Sequence, residues 1–413
     1  MARTDALVLG AGIIGTAIAL HLAKRGLAVT LVERAGVGQG TSYGNAGIIE
    51  GDTVFPHPFP DVAGLLRIAF KRAGEANYHL RYLAQIAPWL IAYRARSRPH
   101  RMIETAHLMR PLFARALAEH EALMAESGAE KLLRKNGWLK LFRSDRSFAR
   151  NAGEREIAER LGLRWQVLDA DGALALEPAL APVFRHALFL DQVASVSNPL
   201  ALTRAYAERL AALGGIALRG DARTLHRAGG HWRLDTEAGR LDASEVVVAL
   251  GPWAPDVLEP LGLRLPLAVK RGYHRHFRSA GNAALARPVV DIDNGYCLAP
   301  MEQGIRLTTG VEFAARDAPP TPVQLARVTP RARQLLTLGD AVEAVPWMGC
   351  RPCFADSRPV IGRAPGLPAL WLAYGHGHWG LTLAAVTGRL LAEMMSGVQP
   401  FCDLAPFRAE RFG

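Results

Sequence analysis

Three glycines near the start of the chain have the spacing that a nucleotide pyrophosphate requires. Gly10, Gly12 and Gly15 follow an apolar run at residues 6–9 and precede a run with helical periodicity. In such a turn Gly10 permits the tight bend, Gly12 leaves room for the pyrophosphate, and Gly15 lets the helix pack close to the strand. The amino end of the helix then faces the phosphate charge. This context predicts the beginning of a Rossmann-type nucleotide domain.

An acidic residue and a loop of small residues follow the first helix. Glu33 ends a second predicted strand at residues 27–32, 18 residues after Gly15, where its carboxylate would bond ribose hydroxyls and repel a 2′-phosphate. NADP is therefore disfavoured. The loop at residues 36–51 is rich in glycine and small side chains, which suits close contact with a phosphate or a planar ring. An ordinary surface turn is the alternative.

A second group of segments lies near the carboxyl end. G-x-R-P at residues 349–352, D-x-x-P-x-I-G at 356–362 and G-H-G-x-x-G at 375–380 occur in this order before a long predicted helix. The last glycines allow a backbone to pass close to a planar ligand, and amides at the start of the helix would stabilise negative charge on it. A glycine-rich turn without a ligand is the alternative.

Cysteine usage argues against disulfide and metal chemistry. The four cysteines are sparse, which fits a reducing compartment. Cys350 and Cys353 form a C-x-x-C pair, but a redox dithiol usually stands at a helix start and a zinc site needs a second pair. We therefore expect neither a redox dithiol nor a metal.

Composition bounds the class of protein. The chain has 413 residues, 50% of them apolar and 21% charged, which excludes a disordered chain or a small disulfide-stapled one and predicts two or three domains. The net charge is +11, carried mostly by arginine. The apolar stretch near the start is preceded by Asp5 and interrupted by glycines, so it does not read as a signal peptide. No apolar stretch reaches the length of a membrane span.

The remaining elements must bring the two ends of the chain together. A buried parallel strand at residues 246–250 stops on Gly251 and by Rossmann topology returns the chain to the nucleotide. Ser197 or Asn198 is predicted to cap a helix that runs to residue 213. Other strands are expected at residues 137–142, 186–197 and 265–313, and long helical regions at 62–128 and 321–338. The absence of a repeat or linker predicts interleaved domains.

A basic segment carries more than half of the excess charge. Residues 61–110 contain nine Lys and Arg against three Asp and Glu. Within it, apolar residues recur at helical spacing: Leu80, Leu83, Ile86, Trp89, Leu90 and Tyr93. This face could rest on an anionic membrane or pack on its own domain, and the pattern favours neither. Nucleic acid is not expected, because no stacking aromatics or binding motif accompany the charge.

The full set of motifs resembles the D-amino-acid oxidase superfamily of FAD-dependent flavoproteins. It includes S-x-x-N-A-G at residues 42–47 and V-V-V-A-x-G at 246–251, and is most similar to the group of D-amino-acid dehydrogenase small subunits, which shares the proline-rich loop and basic insert at 52–110. The resemblance implies an α/β fold, with a Rossmann-type FAD-binding domain interleaved with an α+β substrate domain on an antiparallel sheet. The implied FAD-binding domain comprises residues 1–58, 196–264 and 346–413, and the substrate domain residues 59–195 and 265–345.

The resemblance also implies roles for individual residues. Arg351 would bind the substrate carboxylate, with Tyr296, His376 and His378 as further pocket candidates. His378 stands where glycine oxidase has a second arginine, which leaves a second cationic anchor open. Gly349 stands where sarcosine oxidases carry their flavin-linking cysteine, so FAD should be non-covalent. The implied FAD contacts are Gly10, Gly12, Ile13, Ile14, Gly15, Glu33, Arg34, Thr41, Ser42, Asn45, Ala46, Gly47, Ala222, Gly251, Gly375, Gly377, Gly380, Leu381 and Thr382.

The implied reaction is oxidative deamination of a D-amino acid. Hydride passes from the α-carbon to FAD, and water hydrolyses the imino acid to a 2-oxo acid and ammonia. A dehydrogenase would pass electrons to a quinone or another respiratory carrier, from the cytoplasm or as a peripheral protein on the inner face of the cytoplasmic membrane. The alternatives are an oxidase of glycine, sarcosine or hydroxyproline that uses dioxygen, and the FAD-binding component of a larger dehydrogenase.

Overall fold

The computed structural model describes residues 2–51, 56–71, 73–281 and 284–413. These residues form eleven α-helices. Their bounds are α1 Ile13–Ala23, α2 Val62–Ala69, α3 Leu80–Arg96, α4 Pro99–Ser127, α5 Asp145–Arg150, α6 Ala152–Arg160, α7 Ala170–Leu176, α8 Pro199–Ala212, α9 Ala254–Leu258, α10 Val323–Leu335 and α11 Ala384–Met395.

The described residues also form twenty-two strands in three sheets. Their bounds are β1 Ala2–Leu9, β2 Val29–Glu33, β3 Ile48–Ile49, β4 Ala76–Tyr78, β5 Leu133–Arg134, β6 Trp138–Phe142, β7 Gln166–Asp169, β8 His186–Leu190, β9 Ala194–Val196, β10 Ile216–Arg219, β11 His226–Ala228, β12 His231–Thr236, β13 Gly239–Val248, β14 Ala268–Ser279, β15 Val289–Asp291, β16 Tyr296–Met301, β17 Gly304–Thr309, β18 Val311–Phe313, β19 Leu338–Ala341, β20 Trp347–Cys353, β21 Val360–Arg363 and β22 Leu370–Tyr374.

The first sheet is the predicted nucleotide sheet. Its central strand β1 pairs in parallel with β2 on one side and with β13 on the other, and β13 continues in parallel to β22. These strands are buried on both faces, which explains their nearly continuous apolar sequences. The predicted parallel strand before Gly251 is thereby confirmed, since β13 reaches Val248 and brings the chain back beside β1.

The helical layer over this sheet is larger than predicted. Helices α1 and α11 pack there, and so does α4, whose Met109, Leu112 and Phe113 share one apolar core with Ile18 and Leu390. We expected residues 59–195 to belong to the substrate domain as a whole. The structure instead places the long helix of that segment against the nucleotide layer, because its apolar stripe is complementary to α1 and α11.

The second sheet is mostly antiparallel and has eleven strands in the described residues. Its strand β14 pairs with β17, β18, β19 and β20. Strand β20 contains Arg351, so the predicted domain boundary at residue 346 is misplaced: seven registered pairs tie residues 347–353 to the substrate sheet. The rest of the predicted division stays a prediction.

The predicted helical region at residues 62–128 is divided into three helices and the short strand β4. Pro99 starts α4, and Gly128 ends it with a φ of +63°. On α3 the residues Ile86, Trp89 and Tyr93 are buried against the substrate domain. This face therefore packs on its own protein. The predicted cap of α8 is Asn198, whose side chain accepts from the Ala201 amide at 3.0 Å.

Candidate active site

The glycine turn after β1 has the shape of a phosphate cradle. Gly10 has a φ of +100°, and a Cβ there would lie 2.7 Å from the carbonyl oxygen of Ala249. A Cβ on Gly15 would lie 1.9 Å from the carbonyl oxygen of Gly10. At Gly12 a Cβ would meet only the Ser42 hydroxyl, at 3.2 Å, so this glycine faces open space. Two glycines thus allow close packing, and the third leaves room for a ligand.

Side chains around the turn order its backbone. The amide of Ile13 donates to the Ser42 hydroxyl at 2.9 Å, which brings the 42–47 loop onto the start of α1. Glu33 accepts from the amide of Ala11 at 2.9 Å and from that of Arg34 at 2.8 Å. The acid that was predicted to bond ribose therefore lies beside the glycine turn, and its carboxylate is oriented by backbone donors.

A cavity of about 570 Å³ extends from this turn to the substrate sheet. That size is within the range of small-molecule and cofactor sites. Most of the predicted site residues line it: Gly10, Gly12, Ile13, Ile14, Glu33, Arg34, Thr41, Ser42, Asn45, Ala46, Ala222, Gly251, Arg351, Gly375, His376, Gly377, His378, Gly380 and Leu381. The two ends of the chain therefore form a single site.

Four predicted residues do not line the cavity. Gly15 and Gly47 lie behind it, and a Cβ on Gly47 would meet the carbonyl oxygen of Val196 at 2.3 Å. The Thr382 hydroxyl donates to the carbonyl oxygen of Ile48 at 3.2 Å and supports the loop from behind. These three residues shape the site without facing it.

Tyr296 is the fourth, and here the structure corrects the prediction. Its side chain lies in the core of the substrate domain, and its hydroxyl donates to the carbonyl oxygen of Arg331 at 3.3 Å. Successive side chains of a strand point to opposite faces of its sheet, and this one points away from the cavity. Tyr273 borders the cavity, but its side chain lies in the same core, where its hydroxyl donates to Glu312 at 2.6 Å.

A buried relay holds the loop at residues 42–47 in place. Arg306 donates to the carbonyl oxygens of Tyr43, at 2.9 Å, and of Asn45. Its Nε donates at 2.9 Å to His276, which is hydrogen-bonded to Glu343 through its other ring nitrogen. Burial lowers the pKa of Arg306 to about 10. Glu343 thus orients His276, and His276 accepts a hydrogen bond from Arg306. Arg306 in turn holds the loop through its bonds to the two carbonyl oxygens.

The same histidine belongs to a cluster with metal-ligand chemistry. Donor atoms of His274, His276 and Glu343 lie within 4.8 Å of one another. His276, however, already bonds Arg306 and Glu343 through its two ring nitrogens. The absence of a metal stays a prediction for this chain.

The cysteines of the C-x-x-C pair lie on strand β20. Both are buried, and burial raises the pKa of Cys350 to about 11 and raises that of Cys353. Both thiols are therefore protonated near neutral pH, which makes them poor nucleophiles and poor metal ligands. Cys350 also lies one position beyond the residue that stands for a flavin-linking cysteine.

Arg351 is a cation without an anion. Its Nη1 donates to the carbonyl oxygen of Gly310 at 3.1 Å, and no carboxylate of the described residues pairs with it. Burial lowers the pKa of Arg351. A Cβ on Gly272 of the neighbouring strand would lie 2.5 Å from Nη1, so this glycine makes room for the guanidinium. The guanidinium at the cavity wall can therefore bind the carboxylate of a ligand.

A second cation stands beside Arg351. Lys270 is its direct partner across β14 and β20, so the two side chains share one face of the sheet. The ammonium lies 4.2 Å from the ring centre of Tyr93 and 5.0 Å from that of Trp89. The pKa of Lys270 is lowered by burial and by the charge of Arg351. Sequence reasoning missed this residue, because the pairing depends on strand register.

Two histidines complete this end of the cavity. The rings of His57 and His378 lie 4.7 Å apart, centre to centre. Desolvation at the cavity wall lowers the pKa of His57 to about 4, and desolvation with the charges of His57, Lys270 and Arg351 lowers the pKa of His378 well below its ordinary value. Both imidazoles are therefore neutral near pH 7. His57 was not predicted, and no motif marks it.

His376 differs from His378. Its Nε2 lies 3.1 Å from the hydroxyl of Thr387 in α11, so the ring points into the helix layer. Burial lowers the pKa of His376 to about 3, which keeps it neutral. Other unpredicted residues also line the cavity. Glu50 has a pKa raised to about 7 by burial, and Lys140 pairs with Glu154 at 3.7 Å.

Comparison with known proteins gives the family. The sequence model of the DAO family, described as FAD dependent oxidoreductase, matches residues 5–394. The chain belongs to this family. It is 31% identical to a D-amino-acid oxidase of Bradyrhizobium diazoefficiens, over 98% of each chain. It is 30% identical to a D-amino acid dehydrogenase of Cereibacter sphaeroides, over 98% of this chain and 95% of the relative.

Solved structures agree on the fold. A glycine oxidase from Geobacillus kaustophilus superposes with a TM-score of 0.75 and 25% identity, over 99% of each chain. An L-amino acid deaminase from Proteus myxofaciens, at 16% identity, has the same TM-score of 0.75 over 100% of this chain and 94% of that one, and shows the fold alone. The DAO-family chain is therefore an enzyme, an FAD-dependent oxidoreductase that acts on amino acids, as the motifs predicted.

The residues fit FAD as the cofactor. The space over Gly12 and the helix start behind it suit a pyrophosphate, since a side chain at this position would enter that space. Glu33 suits a ribose. Thr41, Ser42, Asn45, Ala46, Gly375 and Gly377 would hold the flavin, since small residues and exposed backbone of the cavity wall allow close contact with a planar ring.

Proposed function

We propose that this enzyme oxidatively deaminates D-amino acids to 2-oxo acids and ammonia and passes the electrons to a quinone or another respiratory carrier. The unpaired Arg351 at the cavity wall is the observation that carries the proposal, because a partly desolvated guanidinium without a carboxylate partner can bind an anion. The names of the relatives support the D-amino acid as substrate: several are D-amino acid dehydrogenases at 30% identity.

Bound FAD supplies the hydride acceptor. The chain's own residues bind and orient the substrate. Arg351 presents N–H groups that hold the carboxylate in a fork, which fixes the plane of the carboxylate and hence the direction of the α-carbon–hydrogen bond. Loss of hydride and of a nitrogen-bound proton leaves an imino acid. Water then adds to its carbon and ammonia leaves, which gives the 2-oxo acid.

The charges at this end favour a neutral substrate amine. Lys270 and Arg351 are positive, and His57 and His378 are neutral. Of the carboxyl groups at the cavity wall, Glu154 pairs with Lys140, and burial raises the pKa of Glu50 to about 7. Nearby positive charges disfavour the ammonium form of the substrate. The amine therefore binds in its neutral form, or loses its proton after binding and before the hydride leaves. No dedicated acid and base pair is required for this chemistry.

We propose that FAD is held without a covalent bond. The protonated, buried thiol of Cys350 supports this. Denaturation in acid should therefore release all of the flavin into the supernatant. Flavin that stays with the precipitated protein would contradict the proposal.

An oxidase is the second candidate, because one relative at 31% identity is named D-amino-acid oxidase. The two functions differ in the electron acceptor. Steady release of hydrogen peroxide in air, at a rate equal to substrate oxidation, would establish the oxidase. Reduction of a quinone analogue with little peroxide would support the dehydrogenase.

We propose a cytoplasmic enzyme that works peripherally on the inner face of the cytoplasmic membrane, where a lipid-soluble carrier is found. Exposed basic residues support this: Arg94, Arg96 and Arg98 have no ion pair among the residues that the structure describes. In the described part of the chain no helix is long and apolar enough to cross a bilayer.

The test of the proposed chemistry is anaerobic reduction of the bound flavin. The holoenzyme is mixed without oxygen with D-, L- and N-substituted amino acids in turn, and the loss of the oxidised flavin absorbance is followed. We expect D-amino acids to bleach the flavin and their L-forms to leave it oxidised. Bleaching by L-forms or by glycine and sarcosine alone would contradict the proposed substrate.

A further inference from the structure

Exposed apolar side chains are concentrated in one short segment of the chain. Six of the fourteen large apolar side chains that are exposed in the described chain lie between residues 62 and 91. Val62, Phe70, Leu80 and Ile91 are each at least 70% exposed. Single exposed apolar residues are normal on protein surfaces, whereas a concentration of them marks an interaction site.

Helix α2 forms the first part of this surface. It has eight residues, and only Gly64 among them is buried. Its ends are held in place, since Asp61 caps it by accepting from the Gly64 amide at 2.7 Å and Tyr78 donates to the Ala69 carbonyl at 2.9 Å. The helix is therefore anchored to the protein, while Leu65, Leu66 and Phe70 have solvent around them.

The outer face of α3 forms the second part. Its inner face buries Ile86, Trp89 and Tyr93 against the substrate domain. Leu80 and Ile91 lie on the opposite side and are 74% and 71% exposed. Because eleven residues make about three helical turns, these two side chains lie on the same outer face.

The same segments carry positive charge. Exposed basic side chains between residues 67 and 98 are Arg67, Lys71, Arg81, Arg94, Arg96 and Arg98. Of these, Arg67 pairs with Glu75, and the other five have no acidic partner among the described residues. Exposed apolar side chains together with unpaired cations suit the boundary of an anionic bilayer, which offers acyl chains and phosphates.

We propose that α2 and the outer face of α3 are a docking surface for an anionic lipid bilayer. Val62, Leu65, Leu66 and Phe70 enter the headgroup boundary, and the exposed basic residues of the same segments contact lipid phosphates. A second copy of this chain is a poorer occupant, because pairing two such surfaces brings like charges together.

The position of the docking surface deepens the proposed function. His57, at the cavity wall, precedes Val62 by five residues, a span of less than about 18 Å of chain. Docking would therefore bring this end of the cavity close to the bilayer, where a quinone is dissolved. The role of this surface in electron transfer rests on the proposed function, whereas the binding of lipid does not.

Cosedimentation with vesicles tests the proposal. The FAD-loaded enzyme is mixed with vesicles of phosphatidylcholine alone or with added phosphatidylglycerol, at low and high salt. We expect binding to the anionic vesicles that salt weakens, and at least about tenfold weaker binding after Leu65→Ser, Leu66→Ser and Phe70→Ser together. A control variant carries Val323→Ser, Val342→Ser and Val345→Ser, which change exposed apolar residues elsewhere and should bind as the wild type does.

The outcomes separate this surface from the chemistry. Unchanged vesicle binding by the α2 variant, with FAD content equal to the wild type, would overturn the proposal. Concentration-dependent dimerisation that the α2 variant abolishes, without vesicle binding by the wild type, would also overturn it and assign the surface to a second copy. Flavin bleaching by D-amino acids without vesicles reports on the proposed function alone, and we expect it to be unchanged in the α2 variant.

Discussion

The two ends of the cavity are formed in different ways. At the nucleotide end, glycine backbone and small side chains provide space, and Glu33 is fixed by amides of its own neighbourhood. At the substrate end, charged and aromatic side chains from distant strands and helices meet, with Arg351 and Lys270 side by side and without a carboxylate partner among the described residues. The first end depends on shape, and the second depends on unbalanced charge.

This difference explains how the family fold serves different amino acids. A nucleotide cradle tolerates little change, because a single Cβ collides with backbone at Gly10 or Gly15. The substrate end is assembled from side chains that can be exchanged without disturbing the sheets. We therefore expect substitutions at the two ends to separate cofactor binding from substrate binding.

Gly15→Val should have the largest effect. A Cβ at this position lies 1.9 Å from the Gly10 carbonyl, so α1 must move away from β1 and the cradle opens. We expect purified protein with almost no FAD, measured as the ratio of flavin to protein absorbance. The control is Gly153→Ala in α6, where a Cβ meets nothing within 4 Å and FAD should be retained. Normal FAD content in the valine variant would contradict the role of the close packing.

Arg351→Met should weaken substrate binding at the substrate end and leave FAD binding unchanged. Each charge-assisted hydrogen bond contributes about 1.5–3 kcal/mol, so losing the fork should lower kcat/KM by about 100-fold or more. FAD content should stay at the wild-type level. Arg264→Met, at a side chain that is 82% exposed, is the matched control and should leave kcat/KM unchanged. An Arg351→Met variant that lost FAD but kept its kcat/KM would reverse the assignment of the two ends.

Lys270→Met should weaken substrate binding as Arg351→Met does, but by a smaller factor. The lysine adds positive charge beside Arg351 without lining the cavity, so its loss should raise KM for the amino acid by about tenfold and change kcat little. Lys270→Arg keeps the charge and should restore most of the affinity. If the arginine variant were as weak as the methionine variant, packing against Trp89 and Tyr93 would explain the effect.

The smallest expected effect is on the pH dependence of the free energy of unfolding, and it comes from His21 in the helix layer behind the nucleotide end. Burial lowers the pKa of His21 to about 3, below its ordinary value of 6.5. Between these values the unfolded chain binds a proton that the folded chain does not, so the free energy of unfolding falls as pH decreases from 6.5 towards 3. His21→Gln should reduce that slope by up to about 1.4 kcal/mol per pH unit. Urea unfolding of the holoenzyme at several pH values measures the slope; an unchanged slope would show that His21 has the same pKa in the folded and the unfolded chain.

The nucleotide end was predictable because its signals are local. The three glycines, Glu33 and the strand before Gly251 lie in short segments whose spacing alone indicates the turn. The position of α4 was not predictable in this way. Its apolar stripe at Met109, Leu112 and Phe113 fits any apolar partner, and only the assembled fold shows that the partner is the layer of α1 and α11.

The substrate end was predictable only where a motif marked it. Arg351 lies in a motif, but Lys270 reaches its side through the pairing of two strands far apart in the chain. Tyr296 was predicted for the cavity and faces the core, because the face of a strand residue depends on a register that the sequence leaves open. His57 lies among prolines with no pattern of its own and meets His378 only in the fold.

The central claim is that Arg351 at the substrate end holds the carboxylate of the amino acid. Its most direct test is anaerobic flavin reduction by a D-amino acid and by the amide of the same amino acid, in the wild type and in Arg351→Met. We predict that the wild type reacts with the acid at least about 100-fold faster than with the amide at low substrate concentration, and that the variant loses this preference. An equal preference for the acid in both proteins would contradict the claim.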